Sequence, residues 1–282
     1  MSNYKSPKAR PKTEKHLGQL VSRYSEASGL AVRRVRQRIS AMVFIGALAR
    51  VLAEDSPDRF LVKGGLTCEL RFPGKARMTR DLDAVFRGDV DGLLADLDLA
   101  FAEPYSGFSF SYSVPEAIGD TRSVRIGISV EDASRHWATL RVEVSPAEGS
   151  AHECELVPAL TVSEFGLTGP REVACLSLRY QIAQKIHACT ERFQDRENER
   201  VQDLIDLMLM EELIEDIAGV RDACIEIFEL RATHPWPPTL GVEPGWLEVY
   251  PGLAEAIDFP ILVLTEATER VQALIDRIAI PA

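Results

Sequence analysis

The sequence predicts an α/β chain of the α+β kind, in which a mixed-sheet lobe is followed by a mainly helical lobe. Three observations carry that expectation. Runs rich in Val, Ile and Phe interleave with helical runs between about residues 56 and 168, the pattern that builds a sheet layer covered by helices. Past Gly169-Pro170 helical periodicity takes over. Ahead of both, residues 1–55 form a basic segment with helical spacing, expected to pack on the sheet lobe. A boundary near 165–172 therefore gives segments 1–55, 56–168 and 169–282. At 282 residues the chain is long enough for one large domain or two modest ones, and it shows no internal repeat.

Taken in order, the chain is polar, basic and rich in Pro and Ser up to about Pro11, and helical patterning begins near Thr13. A stronger helix is predicted from about Leu30 to Ala53, with Val32, Val35, Ile39, Met42 and Val43 at helical spacing. Arg33, Arg34, Arg36 and Arg38 fall largely off that stripe, either as a solvated face or as a face that contacts RNA phosphates. Phe60–Lys63 reads as a strand, Gly64-Gly65 as a turn, the residues from Leu66 to Arg71 as a helix start and residues 81–86 as a second strand. A helix follows at 89–102. Strands at 108–114 and 123–130 are joined by a Pro- and Gly-bearing loop that predicts a hairpin. Further strands are predicted at 139–145 and 155–160, then helices at about 176–194, 199–215, 218–231 and 261–279, with a Pro- and Trp-bearing loop from His234 to Trp246.

The chemistry gathers on the stretch from Arg77 to Phe86. On a strand, residues two apart share a face, so Asp81 and Asp83 project together while Leu82 and Ala84 face the other way. Neighbouring carboxylates repel and are costly to desolvate without a cation between them. A hard divalent ion suits them, because it takes oxygen ligands and completes its shell with water or phosphate. The alternating run from Thr139 to Ser145 puts Glu143 opposite its apolar face, a natural third carboxylate if this strand lies beside Asp81 and Asp83. Upstream, glycine N–H groups at a strand-to-helix turn suit a phosphate, although Gly64-Gly65 matches neither the P-loop nor the dinucleotide fingerprint.

Composition bounds the setting. Net charge is −11, but it is unevenly spread: residues 1–50 hold 11 Lys/Arg against 2 Asp/Glu, leaving 21 and 41 of the totals 32 and 43 in the rest. A chain that coats nucleic acid over its whole surface is excluded by that balance, whereas a local basic surface is not. Five scattered cysteines without a C-x-x-C pair suggest neither a zinc site nor a disulfide framework, and a reduced cytoplasm is the expected location. No run approaches the ~18 apolar residues of a membrane span, and the N-terminus does not read as a signal peptide.

Gly64-Gly65 followed by Arg77-x-Thr79-x-Asp81-Leu82-Asp83 resembles the first two motifs of the AbiEii/MenT nucleotidyltransferase toxins. Lys185, in Ile182–Ala188, resembles that family's helical lysine motif, and Asp203, in Arg200-Val201-Gln202-Asp203-Leu204-Ile205-Asp206-Leu207, resembles its R-x-x-D-L-x-D-L motif. The four occur in the family's order across about residues 60–210. One departure is Leu66, which stands directly after the glycines where many members carry a hydroxyl; here the hydroxyl is Thr67. The resemblance implies a nucleotidyltransferase-like fold and transfer of a nucleotide from an NTP. Asp81, Asp83 and Glu143 would hold two Mg²⁺ ions. The Gly64-Gly65 turn, Thr67 and Lys185 would meet the triphosphate, with Lys63, Arg71, Arg77 and Thr79 near it and Asp203 positioning Lys185 or Arg200. It further implies a cognate antitoxin and, as acceptor, the 3′ end of tRNA; for that acceptor the basic helix offers Arg33, Arg34, Arg36 and Arg38 as the RNA-facing surface, on charge grounds. Two alternatives stand beside it: transfer to a small-molecule or protein hydroxyl, and a non-catalytic nucleotide- or RNA-binding module. Three clustered carboxylates speak against the last.

Overall fold

The computed structural model describes residues 4–55, 59–79, 81–119, 121–150 and 153–281. Helix α1 (Glu14–Ser28) starts where Thr13 accepts from the His16 N–H and ends at Gly29, whose φ of 74° closes the last turn. Helix α2 follows (Val32–Asp55), then β1 (Phe60–Lys63), α3 (Gly64–Arg71), β2 (Asp81–Phe86) and α4 (Val90–Phe101). Strands β3 (Phe108–Tyr112), β4 (Glu116–Ala117), β5 (Val124–Asp132), β6 (Arg135–Pro146), β7 (Cys154–Pro158) and β8 (Glu172–Leu176) complete the sheet. Helices α5 (Leu178–Thr190), α6 (Gln202–Glu211), α7 (Ile217–Arg231), α8 (Trp246–Glu255) and α9 (Leu264–Ala279) close the chain.

The chain forms two compact units: one of Met1–Lys63, Met78–Pro146 and Leu156–Cys175, the other of Gly64–Arg77, Ala147–Glu155 and Leu176–Ala282. This division runs a few residues past 165–172 and counts Gly64–Arg77, placed by the sequence reading with the sheet lobe, among the helices.

The sheet is mixed, with order β3-β5-β6-β2-β1-β8-β7 and β4 beside β5. Strands β2 and β6 run parallel, as do β1 and β8, while β1–β2, β3–β5 and β5–β6 are antiparallel. In the first unit Val35, Ile39, Met42 and Val43 of α2 are fully buried, whereas Val32, the predicted first member of the stripe, is exposed. Phe44 of α2 meets Phe60 and Phe101 edge-on, and Phe101 stacks on Phe110, which ties helices to sheet. In the second unit the buried stripes of α5, α6, α7 and α9 pack together around Ile182, Leu204, Ile227 and Val271. Asn198 pins the α5–α6 loop by donating to Ala188 O and Glu191 O (2.7 and 2.8 Å).

Two elements depart from the expected order. Strand β8 lies past Gly169-Pro170, where only helix is predicted; its run of Val173, Cys175 and Leu176 is buried without clean alternation, so it resembles a helix start. Helix α8 occupies what reads as the end of a loop, because Pro251 inside it argues against helix.

Candidate active site

In the first unit, strand register assembles a row of charges. Lys63 of β1 stands opposite Asp83 of β2, Asp83 opposite Glu143 of β6, and Glu143 opposite Arg125 of β5. One row along, Asp81 stands opposite Arg141, and Arg141 opposite Gly127. Period-two alternation explains the placement: Leu82, Ala84, Val142 and Val144 are buried, so Asp81, Asp83, Arg141 and Glu143 share the other face. Arg125 donates from Nε and Nη2 to Glu143 Oε1 (2.9 and 2.7 Å), and Arg141 Nε lies 3.4 Å from Asp81 Oδ1. Lys63 Nζ donates to Ser145 Oγ at 2.7 Å. As these side chains stand, no three His, Cys, Asp or Glu residues among the described residues are drawn around one point. The donor set still fits a hard divalent cation: three carboxylates from registered neighbouring strands, on a half-exposed face that already draws guanidinium groups to its oxygens.

The second unit holds a separate cluster of four charges. Lys185 Nζ, on α5, donates to Asp203 Oδ1 (2.6 Å) and to Asp206 Oδ2 (2.7 Å), both on α6. Arg77 Nη2 donates to the same Asp206 Oδ2 at 3.0 Å. Asp203 and Asp206 lie three apart and so share a helix face. Burial alone would depress the lysine's pKa, yet the two carboxylates outweigh it and hold the ammonium above the ordinary lysine range. Burial likewise disfavours the Asp206 carboxylate, but Lys185 and Arg77 overcome this and keep its pKa low. Burial, reinforced by Asp206, pushes the nearby Cys68 thiol up to about 12, so it stays protonated and unreactive. The expected link between Asp203 and Lys185 is thus a direct bond. Toward Arg200, among the described residues, the hydrogen bond of Asp203 is from its backbone N–H to Arg200 O. Asp206, not singled out from the sequence, is the shared acceptor; its spacing in the R-x-x-D-L-x-D-L run was the available signal.

The other expected site residues divide by environment. Gly64 opens α3 at a φ of 68°, a conformation that glycine adopts without strain, and Gly65 is buried. Thr67 is fully buried; its hydroxyl lies 2.7 Å from Gly64 O and within bonding reach of Gln181 Oε1, so it braces the glycine turn from inside. Arg71 Nη2 donates to Glu155 Oε2 (2.7 Å), which also caps the N–H of Leu178, and the arginine side chain is almost wholly covered. Thr79 is buried and donates to Asp81 O at 2.8 Å, fixing the entry to β2.

The four arginines of α2 do not form one solvent-facing surface. Arg36 lies over the Trp137 ring (4.4 Å) and near Glu14, while Arg38 bonds Thr161 O and pairs with Glu164. Arg33 is exposed and Arg34 half-buried.

A family model described as nucleotidyl transferase AbiEii toxin, type IV toxin–antitoxin system, matches residues 46–277. The chain belongs to this family and is a nucleotidyltransferase, and membership implies an NTP substrate and an antitoxin partner. Among solved structures it is similar to MenT4, a nucleotidyltransferase toxin from Mycobacterium tuberculosis H37Rv, at 15% identity and a TM-score of 0.59 over 94% of this chain and 90% of that one. This likeness shows a shared fold. It is also similar to JHP933 from Helicobacter pylori (14% identity, TM-score 0.48, 86% of this chain and 92% of that one). A third is an antigenic nucleotidyltransferase-like protein from Paracoccidioides brasiliensis (17%, 0.40, 68% and 90%). No curated protein matches the sequence. Among the described residues no helix is long and apolar enough to cross a membrane.

Proposed function

We propose that this toxin transfers a nucleoside monophosphate from an NTP to the 3′ end of tRNA, with Mg²⁺ held by Asp81, Asp83 and Glu143, and so blocks translation in the cytoplasm. The observation that carries the reading is the placement of these three carboxylates on one sheet face, in register, within a chain of a nucleotidyltransferase family. In the reaction the acceptor hydroxyl oxygen bonds to the α-phosphorus, the bond from that phosphorus to the β-phosphate oxygen breaks, pyrophosphate leaves, and the hydroxyl proton passes to solvent. Divalent cations bound at the face would lower the pKa of the attacking hydroxyl and neutralise the departing pyrophosphate. Lys63, in the same row as Asp83 and Glu143, adds positive charge there. The Gly64-Gly65 turn offers backbone N–H groups at the start of α3 for the triphosphate.

The tRNA acceptor is supported by the charge asymmetry, since the first fifty residues hold the chain's only large positive excess. Within it Arg33 is exposed and suited to a phosphate contact that positions RNA without reading its sequence.

The test is incubation of the full chain with each labelled NTP, Mg²⁺ and total tRNA. Label is expected at the tRNA 3′ end, and Asp81→Ala and Asp83→Ala each abolish it while circular dichroism stays native-like. Label on protein or on a small molecule instead would overturn the acceptor, and near-normal transfer by both variants would overturn the carboxylate assignment.

A further inference from the structure

We infer that a cavity under α2, on the sheet face turned away from the carboxylates, binds a single-chain amphiphile with a carboxylate head. The inference stands apart from the nucleotidyltransferase reading, because none of the residues assigned there lines this cavity. Its volume is about 420 Å³, within the range of about 300–1,000 Å³ that takes small molecules. Strand alternation sets its position. Val62 of β1 stands opposite Ala84 and Lys63 opposite Asp83, so Val62 and Phe60 point to the face away from the acids. Among the described residues β1 and β8 register at a single pair, Val62 opposite Cys175, and the cavity opens between them on the Phe60 side. Leu48 and Leu52 of α2, with Phe60, Val62 and Val173, make that gap apolar. All of these residues belong to the first unit.

The walls and the rim define the ligand. Gly46 lets the Tyr105 ring lie against α2, since a Cβ there would fall 2.6 Å from the ring and its hydroxyl; Tyr105 thereby closes one side of the cavity. Leu156 of β7, which also lines it, stands 57% exposed, an apolar surface that an alkyl chain would cover. Three charged residues line the same cavity: Arg50, Arg171 and Glu172, two positive against one negative. Arg50 is spent on the chain itself, donating from Nη2 to Ala100 O and Glu103 O (3.0 Å each) and from Nη1 to Pro104 O (3.3 Å). Arg171 is exposed and, among the described residues, its guanidinium has no side-chain hydrogen bond or ion pair. A guanidinium takes both oxygens of a carboxylate at once. An apolar gap beside an unspent guanidinium suits a ligand that is apolar along its length and anionic at one end, and Glu172 opposes that anion without cancelling the rim's net positive charge.

The experiment measures binding of decanoate and of decan-1-ol to the full chain by calorimetry, below the concentration at which either aggregates. Decanoate should bind saturably at one site, and more tightly than the alcohol. Arg171→Gln should weaken decanoate on the order of 10-fold, as loss of a charge-assisted contact does, and leave the alcohol unchanged. Glu172→Gln should tighten decanoate, because it removes a like charge. Ala49 is an exposed residue that lines the cavity, so Ala49→Phe should fill it and weaken both ligands while circular dichroism stays native-like. Should that variant not fold, Leu156→Ser at the same cavity decides in its place, again by weakening both. Absence of saturable decanoate binding overturns the site, as does decanoate affinity that Ala49→Phe and Leu156→Ser both leave at the wild-type value. Equal affinity for acid and alcohol, or a decanoate affinity that Arg171→Gln does not change, overturns the carboxylate head. A chain that binds decanoate in this pattern but transfers no nucleotide would overturn the transferase reading and leave this inference standing.

Discussion

Replacing Lys185 by Met keeps the length of the side chain and removes its charge. Asp203 then has no described side-chain partner, and Asp206 keeps only Arg77. Removing one partner of a buried ion pair costs about 3–5 kcal/mol, because the other charge stays desolvated; the remaining Arg77 contact puts the expected loss toward the lower end of that range. The cost depends on pH, with a definite sign. In the wild type Asp206 has a pKa below its ordinary value, so its contribution is full above the usual carboxylate range and is lost as pH falls through the depressed value. Without the lysine, the burial that disfavours the Asp206 carboxylate is opposed by Arg77 alone, so ionising it as pH rises stabilises the variant less than the wild type. The gap between the two proteins should therefore widen from about pH 4 to pH 7, since the ordinary carboxyl value is about 4. Urea unfolding followed by circular dichroism at pH 4.5, 5.5 and 7 measures it. Equal midpoints at pH 7, or a gap that narrows as pH rises, would refute the reasoning. Loss of transfer in a Lys185 variant is informative only beside this measurement.

Three further outcomes follow from the same kind of accounting. Arg38→Ala, which strips a partner from Thr161 O and Glu164, should cost about 1–3 kcal/mol in thermal unfolding, whereas Arg33→Glu should leave stability within about 0.5 kcal/mol and raise the apparent KM for tRNA. Thr67→Val should destabilise by about 1–3 kcal/mol by orphaning the buried Gln181 carbonyl oxygen, and should weaken NTP binding as the glycine turn loosens; unchanged melting would show that the hydroxyl does not brace it. His187, whose pKa is lowered to about 4 chiefly by burial and then by Arg231, stays neutral at physiological pH. It should withdraw stability as pH falls from about 6.5, the ordinary histidine value, and its proton NMR titration should give an apparent pKa near 4.

Some of this was legible in the sequence and some was not, for identifiable reasons. A period of two makes Asp81 and Asp83 share a face wherever the strand goes, and Glu143 needs only the β2–β6 pairing to join them. The helical face of Asp203 is equally readable, but Asp206 passes for a polar residue on an amphipathic helix until Arg77, more than a hundred residues away, is seen to share it. The arginines of α2 look alike in sequence, yet 3.6 residues per turn spreads them around the helix, and two of them meet Trp137 and Glu164, which no local pattern reveals. The sequence predicts a strand only from 139, yet β6 begins at Arg135, joined to β5 by a tight turn in which Ala133 and Ser134 take positive φ (50° and 61°) without the usual Gly or Asn signals.

The chain's division into units bears on how the protein comes into being on the ribosome. Neither unit is a contiguous stretch: the chain passes from one to the other after Lys63, Arg77, Pro146, Glu155 and Cys175. A nascent chain carries its carboxylate face once β6, ending at Pro146, has emerged, but Arg77 waits for Asp206, a further sixty residues of synthesis away. Domains fold as units during synthesis only when all their segments are out. Truncated products ending before α6 thus hold the acids of the sheet face without the Asp206 to which Arg77 donates.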